Sequence, residues 1–221
     1  MRKAVQIQNA VQNLFSGLLI NEAQADQLER LLTGLERWNQ KVNLTAISGF
    51  EGLLNKHLLD SLVPLGLLTN RQMTHSFAGR GFDLGSGAGF PGLIIALMLP
   101  QVEVVSVEKV AKKVAFQTWA KAELGLTNFT AWSKRFEELG GQSVDFIIAR
   151  ALAEMADLLH WADLFLRPEG LLWAWKGQGF DQEWARCPQA LQARFERVED
   201  QTYQIGPDLG GRLLVFKKLA N

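Results

Sequence analysis

The sequence predicts an α/β fold: a mostly parallel sheet flanked by helices, an antiparallel strand at its C-terminal end, and a helical extension in front. Three observations predict it. Apolar residues in the first seventy positions recur at helical spacing. From residue 76 onward, short β-rich runs alternate with helical segments, the pattern of strands joined by crossover helices. The last two β-rich runs are joined by a link too short for such a crossover.

The elements follow in order. Val5, Val11, Leu14 and Leu18, then Leu28, Leu31, Leu32, Leu35 and Trp38, mark two amphipathic helices. Asn39 to Thr45 interrupts the pattern and Phe50 to Leu68 resumes it, so residues 1–70 form the extension and 71–221 the sheet domain. Strand and helix then alternate: GRGFDL and PGLIIALML, VEVVSVE and VAKKVAFQTWAKAEL, NFTAW, VDFIIAR and a helix around Met155 to Phe165, then GLLWAWKG. Residues 194–205 and 211–217 read as two strands of a hairpin joined through Gly206-Pro207-Asp208-Leu209-Gly210-Gly211.

Composition sets bounds. In 221 residues, Lys+Arg and Asp+Glu both total 23, so the chain does not coat nucleic acid by bulk charge, although a local basic patch is compatible with this balance. The one cysteine, Cys187, excludes an intrachain disulfide and fits a reducing compartment. The start, MRKAVQIQNAVQNLF, breaks every apolar run with Gln or Asn, and no window reaches the roughly 18 apolar residues of a membrane span. The expectation is a cytoplasmic protein with no membrane segment. No spacing of His, Cys or acids marks a metal site.

The stretch FDLGSGAGFPG (Phe82 to Gly92) carries the chemistry, since a chain gives up side chains where its backbone turns tightly or a ligand comes close. No Gly-Lys-Ser or Gly-Lys-Thr occurs, which dismisses a nucleoside-triphosphate loop. Gly87-x-Gly89-x-x-Gly92 satisfies the dinucleotide pattern, with Glu108 at a suitable distance, and keeps an NAD(P)-dependent oxidoreductase as an alternative. Gly85-x-Gly87-x-Gly89, however, is led by Asp83. A carboxylate there repels a pyrophosphate and attracts a cation. S-adenosyl-L-methionine, with a positive sulfonium and ammonium and no phosphate, suits that position, and Glu108 suits its ribose hydroxyls.

Five motifs occur in order: WNQKVNLT (38–45), HLLDSL (57–62), DLGSGAGFPG (83–92), IIARA (147–151) and WKGQ (175–178). Together they resemble the bacterial family that methylates N7 of a guanine in 16S (small-subunit) rRNA, also called glucose-inhibited division protein B. The resemblance implies a Rossmann-like class I methyltransferase sheet, S-adenosyl-L-methionine as cofactor, and 16S rRNA or the small ribosomal subunit as partner. It places Gly85, Phe90, Phe136, Glu137 and Arg150 at cofactor-contact positions beside Asp83, Gly87, Gly89 and Glu108. It departs from the family at Leu213, where the family usually has His.

Chemistry constrains the remaining roles. Guanine N7 carries an in-plane lone pair, so its methylation needs no base, and a cation against N7 would oppose the transition state. Arg150 and Lys176, each closing an apolar strand, are therefore expected at the cofactor carboxylate, guanine O6 or a phosphate, with a phosphate favoured for Lys176. Lys109, Lys112 and Lys113, on the helix after the second strand, are candidate RNA contacts, extended by Arg2, Lys3, Lys134, Arg135, Lys217 and Lys218. Asn43 and His57 are candidates for the target base, with a structural role for His57 against the glycine loop favoured. A non-catalytic ribosome-assembly or RNA-binding factor is the third class of function compatible with these residues.

Overall fold

The computed structural model describes residues 2–220. Three helical segments precede the sheet: α1 (Lys3–Leu14), α2 (Glu22–Val42) and a continuous run made of α3 (Phe50–Leu53), a π-helical turn (Leu54–Leu59) and α4 (Asp60–Thr69). α2 opens with a capping box in which the Asn21 side chain accepts from the Gln24 N–H and Gln24 returns the bond, satisfying two orphan donors.

The sheet then follows as β1 (Arg80–Leu84), α5 (Gly92–Met98), β2 (Glu103–Glu108), α6 (Ala111–Leu124), β3 (Phe129–Ser133), β4 (Val144–Arg150), α7 (Met155–Phe165), β5 (Leu166–Lys176), α8 (Phe180–Arg186), α9 (Gln189–Gln192), β6 (Phe195–Gly206) and β7 (Leu209–Lys218). Its order is β3-β2-β1-β4-β5-β7-β6, with β7 antiparallel to both neighbours and all other pairs parallel. The strand order reverses beside β1, and such a switch point opens a crevice beyond the carboxyl ends of the strands. The closing hairpin is tighter than its composition predicts. β6 runs on to Gly206 and β7 starts at Leu209, leaving a two-residue turn at Pro207-Asp208.

Alternation along each strand sorts the core into two faces. Val104, Ile148, Trp173 and Val215 face a layer built from α5, α6 and the extension; Val105, Ile147, Leu172 and Phe216 face α7 and α8. Leu28, Leu58, Phe90, Ile95 and Trp173 belong to one continuous cluster, so the extension shares its core with the sheet. No helix among the described residues is long and apolar enough to cross a membrane.

Candidate active site

The loop from Leu84 to Gly92 sits at the carboxyl end of β1. Gly85, Gly87 and Gly89 take φ of 62, 61 and 90°, the left-handed region that side chains avoid. A Cβ on Gly85 would lie 2.3 Å from Leu152 Cδ1 and one on Gly89 2.5 Å from Leu93 Cδ1, whereas one on Gly87 would meet nothing within 4 Å. Gly87 is thus the point of the loop that faces open space.

Buried polar groups hold that conformation from beneath. Asp83 is fully buried on β1, and its Oδ2 accepts from the Gly92 N–H at 2.8 Å, while its Oδ1 is a buried acceptor without a partner. Burial pushes the Asp83 carboxyl up to about 7, against the opposing pull of the Gly92 N–H and Arg150. Glu108, at the end of β2, accepts from Gly87 N–H at 3.0 Å and from Val110 N–H at 2.9 Å. Gln117 is a polar residue on the buried face of α6. Its Nε2 donates to Ser86 Oγ at 2.9 Å and to the Gly87 carbonyl at 2.8 Å, and Ser86 in turn meets Ser106. Sequence reasoning missed Gln117 and Ser106; a lone polar residue on an otherwise apolar helix stripe is the signal that marks Gln117.

A second network gathers at the end of β4. Arg150 donates to Asp60 Oδ2 at 2.9 Å, to the Lys56 carbonyl at 3.2 Å and to His57 Nδ1 at 3.3 Å. Asp60 Oδ1 accepts from the Tyr203 hydroxyl at 2.6 Å, and the Asp60 carbonyl accepts from Trp175 Nε1 at 3.1 Å. An arginine can only donate, so His57 Nδ1 carries a lone pair and its Nε2–H points at Thr45 Oγ1, 3.0 Å away. Burial, reinforced by the Arg150 charge, lowers the His57 pKa to about 3, so the ring is neutral. It stacks on Phe90 with centroids 4.9 Å apart. The π-helical turn carries Lys56 and His57, and Ser61 Oγ donates back to the His57 carbonyl four residues earlier.

Arg150 and Lys176 line one cleft of about 610 Å³ with Leu152, but both are engaged. The Arg150 guanidinium turns toward the extension, where three acceptors converge, and Lys176 pairs with Glu183 and donates to the Ala153 carbonyl at 3.0 Å. Phe90 is 2% exposed, packed between the loop and His57. Phe136 and Glu137 lie on a short 3-10 turn after β3; Phe136 meets the edge of Trp161 at 4.7 Å and Glu137 is exposed. Asn43 is the exposed left-handed C-cap of α2, away from the glycine loop in hydrogen bonding.

Lys109 lies before α6 rather than on it, because the helix begins at Ala111; Lys112 and Lys113 are in its first turn. In the parallel β2–β3 pair Glu108 sits opposite Ser133, so Lys109 and Lys134 leave the sheet side by side at its carboxyl edge. Among the described residues none of Lys109, Lys112, Lys113 and Lys134 forms an ion pair. Arg2, Lys3, Lys217 and Lys218 all do, with Asp26, Glu36, Glu169 and Glu196, and Asp163, and so contribute little net positive field.

The family model for GidB, rRNA small subunit methyltransferase G, matches residues 24–206. The chain belongs to this family. It is 38% identical over 175 residues to the ribosomal RNA small subunit methyltransferase G of Methylibium petroleiphilum, covering 79% of this chain and 78% of that one. It is 39% identical over 191 residues to the protein of that name from Syntrophotalea carbinolica, covering 84% and 85%. Among solved structures, an MtNAS mutant in complex with S-adenosylmethionine aligns with a TM-score of 0.58 at 13% identity over 90% of this chain and 77% of that one, a likeness of fold. The rRNA methyltransferase family and the Rossmann-like methyltransferase sheet predicted from the motifs are therefore those of the protein.

Proposed function

We propose that the enzyme transfers a methyl group from S-adenosyl-L-methionine to N7 of a guanine in 16S rRNA. The observation that carries this reading is the glycine loop, whose one unfilled position, Gly87, lies over a frame of Glu108 and the buried Asp83 with its unpaired Oδ1. These residues fit a cationic, phosphate-free cofactor. Gly87 admits its backbone side, Glu108 retains lone pairs for ribose hydroxyls, and Asp83 supplies charge beneath the loop. When bound, the cofactor supplies an electrophilic methyl group. The dinucleotide alternative fits less well, because the start of α5, where a pyrophosphate would sit, is closed by Asp83 on the Gly92 N–H.

The protein's share of the work is alignment. N7 needs no deprotonation, and the ionisable side chains that line the site are committed to each other: His57 neutral between Arg150 and Thr45, Lys176 on Glu183. Positioning alone supplies about 7–11 kcal/mol in favourable cases. Lys109, Lys112, Lys113 and Lys134 flank the carboxyl edge and suit rRNA phosphates. N7 lies in the deep, narrow groove of A-form RNA, so the target guanine is read as unpaired or extruded.

The test is labelled methyl transfer to small-subunit rRNA followed by mapping of N7-methylguanine. Transfer at a single guanine is expected, with little dependence of the chemical step on pH between mildly acidic and mildly basic. Transfer to another atom, or binding of NAD in place of S-adenosyl-L-methionine, overturns the reading. Cofactor binding and rRNA binding without any transfer favours the assembly-factor role instead.

A further inference from the structure

α2 and α6 lie antiparallel. Gln27, near the start of α2, donates to the carbonyl of Leu124 at the end of α6, while Trp38, near the end of α2, meets Phe116 and Trp119 of α6 at 5.8 and 6.2 Å. The outer edge of the Trp119 ring packs against Gly34, where a Cβ would lie 1.9 Å from its Cη2. The result is a groove of about 490 Å³ floored by half-buried Trp38 and Trp119 and rimmed by Arg37 and Lys41. None of the residues lining this groove is hydrogen-bonded to the glycine loop or to Arg150.

Its charges are lopsided. Three of the nearby acids are paired with cations, Asp26 with Arg2, Glu36 with Lys3 and Glu123 with Arg30, while Glu29 keeps its charge and accepts from the Ala4 N–H at 2.8 Å. Arg37 and Lys41 form no ion pair among the described residues, and neither does Lys112. Lys112 is seven residues before Trp119, so it shares that face of α6 about 10 Å closer to the carboxyl edge. Aromatic surface with uncommitted cations at its margin is what an unpaired nucleotide requires: a π-face for the base and donors for the phosphates.

From this we infer that the α2–α6 groove is a second RNA-binding site, which stacks unpaired bases of the substrate on Trp119 and Trp38 and holds the flanking phosphates with Arg37, Lys41 and Lys112. This rests on the reading of rRNA as substrate. It adds a station outside the methylation pocket, so that single-stranded rRNA beside the target is gripped while the guanine is presented to the glycine loop.

The experiment uses the full chain and a fluorescent single-stranded hexaribonucleotide, titrated across a salt series, together with the KM for small-subunit rRNA and the affinity for S-adenosyl-L-methionine. Trp119→Ala is expected to weaken hexanucleotide binding about tenfold or more, with Trp119→Phe restoring most of it. Arg37→Glu combined with Lys41→Glu is expected to lower the slope of log affinity against log salt by about 1.4, two phosphates at roughly 0.7 each. Both should raise KM for rRNA and leave cofactor affinity unchanged. The charge-reversed pair sits on the surface, so it separates RNA contact from any loss of packing at Trp119. Wild-type methylation with unaltered hexanucleotide binding in both variants overturns the second site but not the methyltransferase. A dimer of this chain that these variants dissociate also overturns it, assigning the groove to a second copy. Absence of rRNA methylation by the wild type overturns the underlying function first.

Discussion

Arg150 and Asp60 form an ion pair of 2.9 Å, with side chains 15% and 14% exposed, that ties the carboxyl end of β4 to the helical extension. Asp60 also takes the Tyr203 hydroxyl, so one carboxylate joins β4, β6 and the extension at the edge of the cleft.

Removing that carboxylate strands two partners at once. Asp60→Ala should cost about 3–5 kcal/mol, the penalty of leaving a largely buried charge uncompensated. Tyr203→Phe should cost about 1 kcal/mol, since only one hydrogen bond goes. Denaturant midpoints with unchanged slopes check both, and equal losses for the two variants would sink the idea that Asp60 is the hub.

Gly87 and Gly125 separate ligand space from backbone strain. Both have positive φ (61 and 67°), and a Cβ on either meets nothing within 4 Å. Each change to Ala should cost about 1–2 kcal/mol for the left-handed backbone. Only Gly87→Ala should abolish S-adenosyl-L-methionine binding in calorimetry; equal affinities in the two variants would falsify the cradle.

Cofactor binding should release a proton from Asp83. With its carboxyl at about 7, this group is only partly ionised at neutral pH, and a cation placed over the loop favours the ionised form. Affinity should therefore rise as pH climbs through about 7. The heat of binding should change between buffers of different ionisation enthalpy, an effect that Asp83→Asn removes. Buffer-independent heats in the wild type contradict this.

His57 and Asp83 act on stability in opposite directions. The His57 pKa falls from 6.5 to about 3 on folding, so its contribution is complete above pH 6.5 and is lost as pH falls toward 3. The Asp83 pKa rises from 3.8 to about 7, so its contribution is complete below pH 3.8 and is lost as pH rises toward 7. Between pH 4 and 6.5 the two slopes offset. In Asp83→Asn the His57 effect should stand alone, with stability falling by up to ~1.4 kcal/mol per pH unit on acidification relative to the wild type. Parallel pH–stability curves for the two proteins would refute the assignment.

By itself the sequence determined the alternation of strands and helices, the closing hairpin, the glycine loop and its leading acid, and the family, because hydrophobic period, turn residues and ordered motifs are local properties of the chain. Some site residues were legible for the same reason, notably Gly87 beside Glu108. Tertiary structure alone decided which loop glycine faces open space, since that depends on whether Leu152 or Leu93 fills the gap. It also decided that Arg150 turns to Asp60 and His57, residues about ninety positions away, and that Trp119 packs on Gly34 in a groove shared with Arg37 and Lys41. Hydrogen-bond partners and ion pairs across such separations are fixed by how helices dock on the sheet, and no local pattern encodes that docking.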